Sequence, residues 1–387
     1  MKHYGHLTEQ ERNQIFYIQP TEFNKNTPKD ELANALGATM YTPATKGDIA
    51  ESLINRKYPA LTTNVLCLED SIGDEEVEEA EKNLFHQLDL LNQAVEEGNV
   101  NENDLPLLFV RVRTPEQLIK LLEQGEKFKL VTGFNLPKFS SQNGEAFLKA
   151  IMKANKKYNE SWYAMPILET PEIIYIEYRM VELIKIKGII DNFQEIILNI
   201  RLGGTDFSSL YGIRRGIDFT IYNIHVISNA MSDIVNLFGR ASQNYTISGV
   251  VWEYFPDKNR MLKPQLRFTP FYKQKGVEGL KQREDIICKE IDGLVKEIIL
   301  DKANNFVGKT VIHPSHITYV NGLQVVTYEE YMDAMAILNN QGKGVVKGEG
   351  GNKMNEIKPH HNWAMKVINK SKIYGVLNKD AEYVQLF

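Results

Sequence analysis

At 387 residues and 44.4 kDa the chain can form one large α/β barrel with an appendage, or two ordinary domains. Its hydrophobic fraction of 43% and charged fraction of 25% are those of a globular protein, and a net charge of −5 gives no reason to expect nucleic acid as a partner. The apolar runs are too short to span a membrane, the N-terminus has no apolar signal core, and the two cysteines, Cys67 and Cys288, sit in apolar stretches, so a cytoplasmic protein without a structural disulfide is expected.

Residues 1–35 read as a polar leader. Beyond them, short apolar runs closed by turn residues predict strands at 36–43, 63–70, 107–113, 130–138, 162–170, 196–206, 248–255 and 309–314. Helical patterns lie between them at 47–56, 74–95, 115–124, 144–156, 173–186, 217–238 and 277–303. About eight strand–helix units in this length predict an α/β fold, a (β/α)8 TIM barrel over 36–325. A doubly wound open sheet would need fewer strands and a phosphate-binding glycine loop after the first. Residues 326–387 read as a C-terminal helical extension on a glycine-rich hinge, a lid or a contact with a neighbouring subunit.

Two acids stand just past apolar runs: Glu169 after Trp162–Leu168, and Asp206 after Ile196–Thr205. The carboxyl ends of barrel strands carry the chemistry, so this pair predicts a shared hard-cation site. Other strand ends add Lys46, Glu69, Asp70, Arg111, Arg113 and Lys138. Each alone has a plain structural reading as a helix-end charge or an ion-pair partner; their joint placement is harder to attribute to chance.

Several motifs do not hold. Gly308-Lys309-Thr310 lacks the earlier glycine of a phosphate loop and enters a strand instead of leaving one. The glycines from 342 to 351 miss the dinucleotide spacing. His313 and His316 flank Pro314, so structural hydrogen bonding is favoured over zinc; the adjacent His360 and His361 would point apart on a helix.

The surviving segments occur in the order of a known family. Tyr41-Thr42-Pro43-Ala44-Thr45-Lys46, Leu66-Cys67-Leu68-Glu69-Asp70-Ser71, Val110-Arg111-Val112, Leu136-Pro137-Lys138, Ile167-Leu168-Glu169-Thr170-Pro171, Gly203-Gly204-Thr205-Asp206 and Gly308–Pro314 together resemble the HpcH/HpaI aldolase and citrate lyase beta-subunit family. The resemblance runs from about residue 36 to 340. It implies a Mg2+-dependent carbon–carbon lyase in which Glu169 and Asp206 hold the metal and Arg111 contacts a substrate carboxylate or enolate oxygen. Glu69 and Asp70 would orient a water or hydroxyl, and Lys46, Lys138, Gly204 and Thr205 would line the substrate. Lys353-Met354-Asn355-Glu356 is similar to a C-terminal segment whose acid reaches a neighbouring subunit's site, which makes Glu356 an acid/base candidate. A homo-oligomer, trimer or hexamer, is implied.

Departures stand at Arg113, Ser140 and Thr205, and residues 256–275 read as a basic insertion carrying Arg260, Lys263, Arg267, Lys273 and Lys275. They resemble the branch found in tellurite-resistance and stress-response clusters, with ATP-grasp and phosphoribosyltransferase-like partners. The expected substrate is a small anionic 2-oxo acid, or an acyl or phosphorylated compound, with a coenzyme A thioester as one option. Two other readings are a non-catalytic ligand-binding or scaffold subunit, and a metal-dependent acyl-CoA thioesterase.

Overall fold

A computed structural model describes residues 1–243, 245–256, 278, 289–340, 342, 344–351 and 353–387. The basic insertion, Arg260 to Lys275, and Cys288 lie outside the described residues.

The apolar runs become a parallel ladder. Neighbour by neighbour it runs Arg201–Leu202, Tyr163–Leu168, Val131–Leu136, Leu107–Arg111, Thr63–Cys67, Ala38–Pro43 and Lys309–Val311. The gap between the two ends is closed by residues 246–250. Ile247 bridges Ile200, and Gly249 bridges Lys309, both in parallel. With this segment in seventh place the strands form the eight-membered TIM barrel. Gly249 is required there, since a Cβ would stand 2.6 Å from Asp301 Oδ2 on the helix behind it.

Alternation along the strands sorts their side chains. Leu66, Leu108, Val110 and Phe134 pack outward in the main core, against helices that include Val77–Glu96 and Gly144–Tyr158. Val65, Leu107, Phe109 and Met165 point into the barrel and form a second core with Tyr4, Phe16, Leu32, Tyr374 and Leu386. Residues 1–35 are therefore folded into the base of the barrel. They carry the helices Glu9–Ile15 and Lys29–Ala35 and the strand Phe16–Ile18, which pairs antiparallel with Val376–Leu377. Burying a Phe or Leu side chain contributes about 1.5–3 kcal/mol, so this plug is a substantial part of the fold.

The C-terminal helices Tyr328–Asn339 and Ile357–Tyr374 pack on each other, and the second also packs on Lys29–Ala35. The extension thus sits at the base and does not cover the barrel mouth of its own chain. Lys309, from the rejected phosphate-loop triplet, is buried between Glu297 Oε1 at 2.8 Å and Asp301 Oδ2 at 2.7 Å. Glu297 also takes Arg215 at 2.5 Å, so the triplet's lysine locks the last strand to the helix Lys289–Ala303. No helix among the described residues is long and apolar enough to cross a membrane.

The plug carries an acid-sensitive contact. His3 is fully buried, stacked on Tyr374 with ring centroids 4.3 Å apart, and its Nε2 meets the Ala35 carbonyl at 3.0 Å. Burial lowers its pKa to about 3, so the folded chain holds it neutral while the unfolded chain protonates near 6.5. The unfolded state then binds the extra proton, and stability falls as pH drops from about 6.5 toward 3. His3→Phe is expected to flatten the stability loss between pH 6.5 and pH 4, on the order of 1–3 kcal/mol, in denaturant titrations. An unchanged pH slope would remove His3 from the plug's acid response.

Candidate active site

The strand ends gather charge at the mouth. Leu68 and Glu69 follow the second strand, and Glu69 is buried although it is an acid. Arg111, the last residue of the third strand, meets Glu69 Oε2 at 3.2 Å and Asp70 Oδ2 at 3.4 Å. Lys138, past the fourth strand, pairs with Glu69 Oε1 and lies 3.6 Å from Asp70 Oδ1. Burial resists ionisation of Glu69, but hydrogen bonding with Asp70 and the cations Arg111 and Lys138 outweigh it and hold its pKa at about 2. Asp70 shows the complement: burial and the Glu69 charge push it up to about 6.

Glu169 is 4% exposed. Its Oε1 accepts the Lys138 backbone N–H at 2.8 Å, which Lys138 presents by taking a left-handed φ of 48°. Burial and then the charge of Asp206 push the Glu169 pKa up to about 8. Asp206 differs from expectation in one respect. The strand stops at Leu202, and Asp206 stands in the first turn of the short helix Gly204–Ser209, because the two glycines break the extended run. Gly203 makes room for the acid: a Cβ there would lie 2.1 Å from Glu169 Oε2.

Glu169 and Asp206 line one cleft of about 360 Å³ with Lys138, Thr170 and Glu182. Their oxygens fit a hard divalent cation, whose charge would relieve the repulsion that raises Glu169. The hydroxyl of Thr170 is buried there without a hydrogen-bond partner among the described residues, a further oxygen available to a ligand or its water. Among the described residues no group of three or more His, Cys, Asp or Glu forms a metal cage. A cation between the two acids would complete its shell from substrate and water.

The other expected residues divide. Gly204 is buried against Val250, and Thr205 is exposed with its hydroxyl 3.1 Å from Glu253 Oε1. Lys46 is exposed on the first loop, whose Ala44 and Lys46 carbonyls are held by Asn83 at 2.6 and 2.7 Å. Glu356 is exposed in the C-terminal hairpin formed by Val345–Lys347 and Met354–Glu356, outside the mouth of its own chain. Arg113 turns away and ties the second loop through the Leu68 carbonyl at 2.9 Å and Asp74 at 2.7 Å. The histidines are structural: His313 meets Ser315 Oγ at 2.8 Å, and His316 the Tyr254 carbonyl at 2.9 Å.

Four participants were not expected. Cys67 lies beneath Arg111, whose Nε donates to Sγ at 3.0 Å, so its surroundings are not purely apolar. Tyr41 offers its ring to Arg111 at 5.1 Å and to Arg201 at 5.8 Å, and its hydroxyl accepts from Asn135 at 2.6 Å. Arg201 is buried inside the barrel, held by Thr39 at 3.3 Å and Thr310 at 2.7 Å, with no carboxylate paired to it among the described residues. Glu182 enters from the helix Ile176–Asn192 and accepts Ser141 N–H at 2.6 Å and its hydroxyl at 2.7 Å. An arginine inside the apolar run Ile200–Leu202, and an acid on the buried stripe with Leu183 and Ile186, were the available signals.

Residues 30–376 match the family described as C–C bond lyase of the TIM-barrel fold, and the chain is a member of it. Among solved structures, protein CitE from Mycobacterium tuberculosis, in complex with magnesium, acetoacetate and coenzyme A, is 15% identical, with a TM-score of 0.53, over 88% of this chain and 99% of that one. A Haloferax volcanii malate synthase in a pyruvate/acetyl-CoA ternary complex is 9% identical, with a TM-score of 0.48, over 86% and 89%. RipC from Yersinia pestis is 16% identical, with a TM-score of 0.45, over 75% and 95%. No curated protein matches the sequence.

Gly203→Ala tests the packing of the acid pair. The added methyl would stand 2.4 Å from Glu169 Cβ as well as 2.1 Å from its Oε2, so the backbone must shift along with the carboxylate, and both the thermal midpoint and, at least tenfold by calorimetry, the Mg2+ affinity are expected to fall. Unaltered affinity would show that Glu169 is not confined by Gly203.

Proposed function

We propose that the chain is a Mg2+-dependent lyase that cleaves or forms a carbon–carbon bond through the enolate of a 2-oxo acid. The observation that carries this reading is the buried Glu169 beside Asp206 in a cleft bordered by Lys138 and the Arg111 cluster. Bound Mg2+ would supply Lewis-acid stabilisation of an enolate oxygen, and Glu169 and Asp206 would hold it. Arg111 keeps donors on both terminal nitrogens for a substrate carboxylate. Arg201 adds a fixed positive charge from inside the barrel, favouring an anionic substrate. Asp70, poised near pH 6 and hydrogen-bonded to Glu69, is the group we assign to holding or releasing a proton at the substrate hydroxyl. Glu69 positions Arg111 and Lys138.

We further propose a homo-oligomer. On the helix Ile176–Asn192, Ile176 is 81% exposed, and Val181 and Ile184 are exposed beside it, an apolar stripe suited to a second copy. Glu356, in the exposed C-terminal hairpin, would serve the site of a second copy, as the similarity of residues 353–356 implies. A cytoplasmic location is proposed from the cysteine usage, the stress-cluster branch with its ATP-grasp and phosphoribosyltransferase-like partners from the departures at 113, 140 and 205, and a coenzyme A thioester is one option for the substrate.

In D2O with Mg2+, the protein is expected to exchange the methyl protons of pyruvate, followed by NMR, and Glu169→Ala or Asp206→Ala to reduce that exchange by a factor of about 100 or more. Exchange retained in both variants would refute the assignment. Pyruvate binding without exchange favours the scaffold reading, and release of free thiol from acyl-coenzyme A without bond cleavage favours the thioesterase.

A further inference from the structure

A second cavity lies at the opposite end of the barrel from the catalytic mouth. It has a volume of about 460 Å³ and lies, open on one side, between the C-terminal helix Ile357–Tyr374 and the entry ends of the last strands. That volume is in the range of small-molecule sites, roughly 300–1,000 Å³. Its floor is apolar, with Ile197, Phe306 and Val307.

The helix sets one face toward it. Trp363, Lys366, Val367 and Lys370 recur at the spacing of a single helical stripe, and all four line the cavity. Lys29, Arg240 and Lys302 approach from the other walls. Five cations therefore surround a space whose lining acids are Asp30 and Glu330. Glu330 caps its helix, its Oε2 accepting Thr327 N–H and hydroxyl at 3.0 Å, and its single charge offsets only part of that of Lys302 and Lys370. Lys302 donates to the Leu323 carbonyl at 2.7 Å and Lys366 to Asn305 Oδ1 at 2.7 Å, both neutral acceptors. Among the described residues no carboxylate lies within ion-pair distance of Lys302, Lys366 or Lys370.

Grouping positive charges in a partly desolvated space is unfavourable unless an anion joins them. Burial lowers the Lys370 pKa well below its usual value, and Lys302 lowers it further. Burial likewise lowers Lys302, Lys366 and Lys29. Trp363, Tyr245 and Phe306 provide aromatic surface beside the cations, as a planar ring with a phosphate tail requires. We infer that this cavity binds a small organic phosphate with an aromatic body, of the mononucleotide class, independently of the reaction at the mouth.

The test uses AMP on the full chain, followed by tryptophan fluorescence. Trp162 and Trp252 are fully buried elsewhere, so a ligand-dependent change reports Trp363, and Trp363→Phe should abolish it. AMP is expected to change the signal saturably, Lys370→Met to weaken binding at least tenfold, and orthophosphate to bind at least tenfold more weakly than AMP. Without ligand, Lys370→Met is expected to raise the thermal midpoint, because it removes a charge kept for an anion; a structural lysine would lower it. No saturable change at millimolar AMP, equal affinity of wild type and Lys370→Met, or a lowered midpoint would overturn the proposal. Orthophosphate binding as tightly as AMP would overturn its aromatic part.

Discussion

The mouth of this barrel is organised around a carboxylate that is costly to ionise where it stands. Glu169 is removed from water and faces a second acid, Asp206, so ionisation is opposed twice, by desolvation and by like charge. Proteins retain such an arrangement where something else supplies the missing positive charge. The surroundings are shaped to keep the pair: Gly203 leaves no side chain to push Glu169 aside, and Lys138 accepts a strained backbone angle to give it an N–H.

The neighbouring strands make the opposite choice. Glu69 is nearly as buried as Glu169, yet Arg111 and Lys138 hold it ionised. The two acids, one strongly neutralised by cations and one left under-compensated, divide the mouth into a half balanced by positive charge and a half short of it. Arg201 and Tyr41 extend the same logic into the barrel, where a buried guanidinium is held by hydroxyls and lies 5.8 Å from the centre of an aromatic ring. The base carries none of this chemistry. It is sealed by the N-terminal plug and the C-terminal helices, which leave the mouth free and create a separate basic cavity.

Much of this was legible because parallel barrel strands are short apolar runs, and the acids and cations at their ends are the residues that such strands cannot bury without purpose. The barrel order followed from that pattern, as did the position of Glu69, Arg111 and Glu169 at the mouth. What failed has physical causes. The first 35 residues look polar because their anchors, Tyr4, the short run Ile15-Phe16 and Phe23, are separated by polar stretches and meet only in the folded base. Asp206 falls past the strand because Gly203-Gly204 breaks the run, a signal that the apolar pattern alone does not weigh. Arg201 and Glu182 were hidden because one polar residue in an apolar stripe reads as noise until its partners, Thr310 and Ser141, are brought to it from distant segments.

The central claim is that Glu169 and Asp206 form one divalent-cation site. The most direct measurement is Mn2+ binding followed by electron paramagnetic resonance, in the wild type and in Glu169→Gln and Asp206→Asn. One tightly bound Mn2+ per chain, displaced by Mg2+ and lost in each variant, is the expected result; no binding in the wild type, or binding undiminished in both variants, would contradict it.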